Sequence, residues 1–106
     1  MLSSGLHSSW KIECDALTPH DWYTLALIAC ELLPPFGAVE GVPRGGIAFA
    51  EALRRHVTAG PLLICDDVLT TGASMERLRA GRDAIGVVAF ARGPCPDWVM
   101  LIWRLG

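Results

Sequence analysis

The chain has 106 residues, 52% of them hydrophobic and 19% charged, with a formal net charge of −2. This length suits one domain, residues 1–106, with a single core that needs no disulfide or metal staple. The composition excludes a disordered chain, and the slight acidity argues against nucleic acid or an anionic membrane as partner. Cys14, Cys30, Cys65 and Cys95 form no Cys-x-x-Cys pair and have no histidine at a ligand spacing, so they read as reduced thiols of a cytoplasmic protein. Met1–His7 lacks the basic start and apolar run of a signal peptide. The longest apolar runs, Ile85–Ala91 and Trp98–Trp103, fall far short of the ~20 residues of a membrane span. Positive charge is lopsided, with eight arginines and one lysine, Lys11.

In chain order, residues 10–14 alternate apolar and polar, as in a short half-exposed strand. Thr18-Pro19-His20-Asp21 has the residues of a helix start: a capping hydroxyl, a proline at the first position and an acid in the first turn. Leu25, Ile28, Ala29 and Leu32 follow at helical spacing and predict the buried face, and Pro34-Pro35 ends the helix. Next come a short apolar stretch, Phe36–Val42, and a helix over Ile47–Val57 with Ile47, Ala50, Leu53 and Val57 on one side. A buried run, Leu62–Cys65, precedes a helix over Met75–Arg82 with Arg77, Arg79 and Arg82 exposed. Ile85–Ala91 and Trp98–Trp103 complete the pattern, separated by a Gly/Pro-rich turn, Arg92–Asp97.

Alternating apolar runs and helices predict an α/β fold: a mostly parallel central sheet with helices on both faces and right-handed crossovers. Residues 92–97 are too few for a helical crossover, so the last strand is either an antiparallel neighbour or joined by a tight return.

The chemistry concentrates in Leu62-Leu-Ile-Cys-Asp-Asp-Val-Leu-Thr-Thr-Gly-Ala-Ser74. A buried strand delivers Asp66 and Asp67 to the carboxyl edge of the sheet, where open α/β folds bind ligands. Thr70, Thr71, Gly72, Ala73 and Ser74 then supply hydroxyls, backbone amides and a helix start, which suit a phosphate monoester. The two acids can accept hydrogen bonds from sugar hydroxyls or hold a water-coordinated Mg²⁺. Together these describe a site for a ribose 5-phosphate. The loop is not a Walker A sequence, since no Gly-Lys-Ser/Thr is present. One βα unit earlier, Gly41-Val-Pro-Arg-Gly-Gly-Ile47 combines flexible backbone with the guanidinium fork of Arg44, a phosphate-binding group.

All thirteen positions of the 62–74 segment resemble the phosphoribosyl pyrophosphate (PRPP) motif of type I phosphoribosyltransferases. The resemblance implies that Asp66 and Asp67 face the ribose hydroxyls and that Thr70–Ser74 hold the 5-phosphate. Val42, Pro43, Arg44, Gly45 and Gly46 are similar to the family's pyrophosphate loop, and Asp66, Asp67 and Arg44 become the catalytic candidates. Ser3-Ser-Gly-Leu-His-Ser-Ser-Trp10 and the following strand resemble the hood of the orotate enzymes, making residues 1–15 a hood-like segment and 18–106 the core. Arg92 occupies the place where that family presents an arginine to orotate. With Ser4 and Lys11 it forms the implied base site. The family implies Mg²⁺ as cofactor, PRPP and a base as substrates, and a homodimer. Trp98 and Trp103 on the last strand fit either an exposed apolar surface or a tryptophan pair in the core.

The chain departs from the family between the second helix and the PRPP strand. Only residues 54–61 lie where these enzymes insert a long mobile loop carrying a lysine. Neutralising a leaving pyrophosphate then falls to Mg²⁺, Arg44 and either Arg55 or Lys11. The alternative reading is a non-catalytic PRPP- or nucleotide-binding regulatory protein.

Overall fold

The structure is a computed structural model that describes residues 16–105. The predicted strand at 10–14 and the candidates Ser4 and Lys11 lie outside the described residues. The elements are α1 (Pro19–Leu32), β1 (Ala38–Gly41), α2 (Ile47–Arg54), β2 (Leu62–Leu69), α3 (Ala73–Arg79), β3 (Ala84–Ala91) and β4 (Val99–Arg104). The strands form one sheet in the order β1-β2-β3-β4, and every pair is parallel. The α/β fold with a helix-covered parallel sheet is as expected.

α1 begins as predicted. The Thr18 hydroxyl accepts from the Asp21 amide at 3.1 Å, and the Thr18 amide donates to the Asp21 carboxylate at 2.9 Å, closing a capping box. This contact holds the Asp21 carboxyl below its usual range. Of the predicted stripe, Ala29 is buried and Leu25 is half-buried against the core, but the buried face is completed by Trp22 and Ala26. Ile28 and Leu32 point outward, 43% and 44% exposed. Leucine, isoleucine and alanine surround this helix, so hydropathy alone leaves its orientation open. The Trp22 ring decides it by packing 5.3 Å from Phe49 of α2.

α2 ends at Arg54, three residues before the predicted end. Its buried residues are Phe49, Ala50, Ala52 and Leu53, whereas Ile47 is exposed. α3 runs earlier than predicted because Ala80 and Gly81 both take positive φ, 53° and 76°, and stop it. Arg79, expected in solvent, is half-buried under Trp98.

One apolar cluster joins α1, α2, Leu63, Cys65 and Val87 on one face of the sheet. A second joins Met75 and Leu78 of α3 to Ile64, Val88 and Val99 on the other face. Hence α2 crosses from β1 to β2 on one face, while α3 crosses from β2 to β3 on the opposite face. Two crossovers that advance in the same direction on opposite faces have opposite hands, so they are not both right-handed as predicted. The return to β4 also packs Cys95 and Trp98 into the second cluster. Phe49 and Leu53 of α2 are buried in the first cluster together with α1.

β4 is parallel to β3, so the tight return is the alternative realised. The chain folds back along β3 until Val99 lies opposite Gly86. The turn closes with Gly86 N–H donating to Trp98 O at 2.8 Å and Val99 N–H to Pro96 O at 3.0 Å. The Trp98 ring lies over Gly86, where an added Cβ would come 2.9 Å from it. Trp103 is 62% exposed, so the two tryptophans do not form a core pair.

Candidate functional site

Both glycine-bearing loops follow strands, β1 and β2, that pair in parallel, so they emerge side by side at the carboxyl edge of the sheet. The first loop folds tightly. Gly46 N–H donates to Val42 O at 2.8 Å, Ile47 N–H to Arg44 O at 3.2 Å, and Val42 N–H to Cys65 O at 2.9 Å. Gly46 is packed so closely that a Cβ there would lie 2.8 Å from Cys65 O and from Val42 N. The Cys65 thiol donates back to Gly46 O at 3.7 Å. Burial pushes this thiol far above its ordinary range, so it serves as a neutral anchor rather than a nucleophile. Arg44 is exposed, and among the described residues no carboxylate pairs with it.

β2 continues through both acids to Leu69 instead of ending at them. Side-chain alternation breaks there: Leu63, Cys65 and Val68 join the first cluster, Ile64 and Leu69 the second. Asp66 Oδ1 accepts from the Asp67 amide at 2.8 Å, and Asp67 Oδ1 accepts from the Val68 amide at 2.7 Å. These bonds fix both carboxylates at the point of irregularity. Asp66 is buried, while Asp67 is half-buried and faces the first loop. A methyl at Gly45 would collide with the Asp67 carboxylate. The structure thus brings Asp67, near the end of β2, against Gly45 of the first loop.

Thr70–Ser74 line a small polar hollow of about 40 Å³, together with Asp66 and Met75. Gly72 takes φ +84°, a left-handed turn that launches α3, and the Thr71 hydroxyl accepts from the Ala73 amide at 3.2 Å. Thr70, Thr71, Ala73 and Ser74 of this lining are exposed. Arg92 reaches the same edge, since its amide donates to Leu69 O at 2.9 Å.

Sequence reasoning missed the support beneath this loop. A Cβ on Gly93 would strike the Thr70 carbonyl oxygen, and one on Gly72 would come 3.5 Å from the Pro96 ring. Arg104 donates to Gly93 O at 2.9 Å and ties the return segment to β4. The signal was present in Arg92-Gly-Pro-Cys-Pro96, a turn rich in residues that permit close backbone approach.

Among the described residues no group of three or more His, Cys, Asp or Glu side chains forms a metal cage. Asp66 lines the polar hollow and the adjacent Asp67 faces the first loop, and such a carboxylate pair nevertheless fits a Mg²⁺ ion that keeps most of its ligands as water and phosphate oxygens. Among the described residues no helix is long and apolar enough to cross a membrane.

No protein-family profile matches this chain, and no curated protein matches it. Among solved structures, it is similar to the Helicobacter pylori xanthine-guanine-hypoxanthine phosphoribosyltransferase. The identity is 15% and the TM-score 0.48, over 77% of this chain and 84% of that one.

Proposed function

We propose that this protein transfers ribose 5-phosphate from PRPP to a nitrogen base and releases pyrophosphate, in the cytoplasm and with Mg²⁺. The observation that carries the reading is the approach of the two segments at one sheet edge: a PRPP-like strand–loop–helix whose Asp67, on β2, lies against Gly45 of the arginine-bearing loop. In this reading the amides and hydroxyls of Thr70–Ser74 bind the 5-phosphate, and Asp66 and Asp67 orient the ribose through its hydroxyls. Val42–Gly46 bind the pyrophosphate, with the Arg44 guanidinium neutralising charge as it develops on the leaving group. Asp66 and Asp67 would hold Mg²⁺ through water and PRPP, and the ion supplies further neutralisation of the pyrophosphate. Orotate is the proposed acceptor, because Arg92 at the same edge offers a planar fork to a carboxylate, with Ser4 and Lys11 as further base-site candidates. A homodimer is the proposed assembly.

The test is incubation of the chain with PRPP, Mg²⁺ and a panel of bases that includes orotate, with pyrophosphate release as readout. Release with orotate supports the full reading, and release with another base moves the acceptor. No release with any base sinks the enzyme. A second reading then takes over, favoured by the connection between α2 and β2, which is confined to residues 55–61 and holds no lysine. It is a non-catalytic PRPP sensor, and calorimetry showing no Mg²⁺–PRPP binding would exclude that as well.

A further inference from the structure

A larger cavity, about 460 Å³, lies at the opposite end of the sheet from the two loops. It forms where α1 ends, where the chain enters β1 and where it leaves α2. Its volume falls within the range of small-molecule sites. Pro35, Phe36 and Val57 give it apolar walls, and Cys30, Arg55 and His56 complete them.

Arg55 is the standing charge of this cavity. Its guanidinium lies 4.5 Å over the Tyr23 ring and donates to the Tyr23 hydroxyl at 3.2 Å. Among the described residues no carboxylate pairs with it. Glu51, one turn earlier on the exposed side of α2, is held by Arg54 at 3.2 Å. Tyr23 lies outside the lining, and stacking on it restrains the arginine, so less rotamer freedom is lost when an anion binds its remaining donors. An oriented guanidinium beside an apolar wall recognises a carboxylate attached to a flat apolar body.

We infer that this cavity is a binding site for a small aromatic carboxylic acid, with its carboxylate on Arg55 and its ring against Pro35, Phe36 and Val57. The site stands apart from the phosphoribosyl reading: it shares no residue with either glycine-bearing loop, and Arg55, expected from the sequence as one candidate to neutralise pyrophosphate, lies at the opposite end of the sheet from them.

The experiment titrates the full chain with phenylacetate and with phenylacetamide, a neutral molecule of nearly the same shape, by calorimetry and by amide NMR shifts. Saturable phenylacetate binding is expected, with shifts at Val57 and Thr58 and with the amide at least about tenfold weaker, as loss of a charge-assisted hydrogen bond implies. Arg55→Gln is expected to weaken phenylacetate about tenfold, with the remaining NMR spectrum unchanged. Inorganic pyrophosphate should not displace the acid. Equal binding of acid and amide, displacement by pyrophosphate, or no saturation would overturn the assignment. Should Arg55→Gln disturb the fold, the comparison of acid with amide on the unmodified chain still decides.

Discussion

On the face that carries α1 and α2, the cover is thick and apolar, with Trp22, Phe49 and Leu53 packed over Leu63 and Val87. On the other face the cover is a helix of seven residues and a return segment, and polar contacts pin both in place. The Trp98 indole donates to Glu76 at 2.8 Å while Arg79 stacks 4.4 Å over its ring. Arg82 bridges both oxygens of Glu40 on β1 at 2.8 and 2.9 Å and also donates to Leu78 O and Arg79 O at the end of α3. The first face draws its stability from buried area, the second its placement from directed bonds. The proposed phosphate loop belongs to the second cover, since Gly72 starts α3 and the return segment lies beneath Thr70. A site built on this second cover therefore depends on directed bonds as well as on the packing of Met75 and Leu78.

The contrast is sharpest for truncation in the apolar layer. Phe49→Ala removes a fully buried ring that touches Trp22, and is expected to cost about 3–5 kcal/mol in a urea titration. A loss below about 1 kcal/mol would mean that α1 and α2 collapse onto the space. On the opposite face, Gly86→Ala drives a methyl into the Trp98 ring at 2.9 Å, and a cost of about 1–3 kcal/mol is expected. Trp98 fluorescence should shift with it, because the ring must leave its place between Gly86 and Arg79.

Gly45→Ala separates site from stability. The methyl meets the Asp67 carboxylate, a side chain able to swing away, so global stability should fall by less than about 1 kcal/mol. PRPP affinity should fall at least about tenfold, since the acid leaves the position set by its bond to the Val68 amide. Unchanged affinity would remove Asp67 from the proposed ribose contact.

Much of this was legible in the residues, for identifiable reasons. Thr18 with Asp21, and Leu62–Ser74 as strand, loop and helix, are set by contacts a few positions apart. The outward turn of Ile28 and Leu32 was not, because α1 is apolar on most sides and its orientation depends on Phe49, far away in the chain. The opposite hands of the two crossovers were hidden for the same reason: they follow from which face each helix covers. At the site, the acids and hydroxyls were visible. Their irregular alternation at Asp66–Val68 and the support from Gly93 required the register of β3 and the path of the return segment.

The smallest expected effect tests whether the polar pins act through charge. The Arg82 hydrogen bonds hold the Glu40 carboxyl below its ordinary value of 4.5. A carboxylate with a depressed folded-state pKa adds stability above its unfolded value, and that share is lost as pH falls through the folded value. Both side chains are more than a third exposed, so solvent screening leaves the pair only a small contribution. Glu40→Gln keeps the shape and an acceptor oxygen but removes the charge. Its urea midpoint should lie slightly below that of the unmodified chain near neutral pH, and the gap should close as pH falls below 4.5. High salt should narrow the gap at neutral pH as well. A gap that persists in acid and in salt would show that α3 is tethered to β1 by hydrogen-bond geometry alone, and the second face would then owe its placement to shape rather than charge.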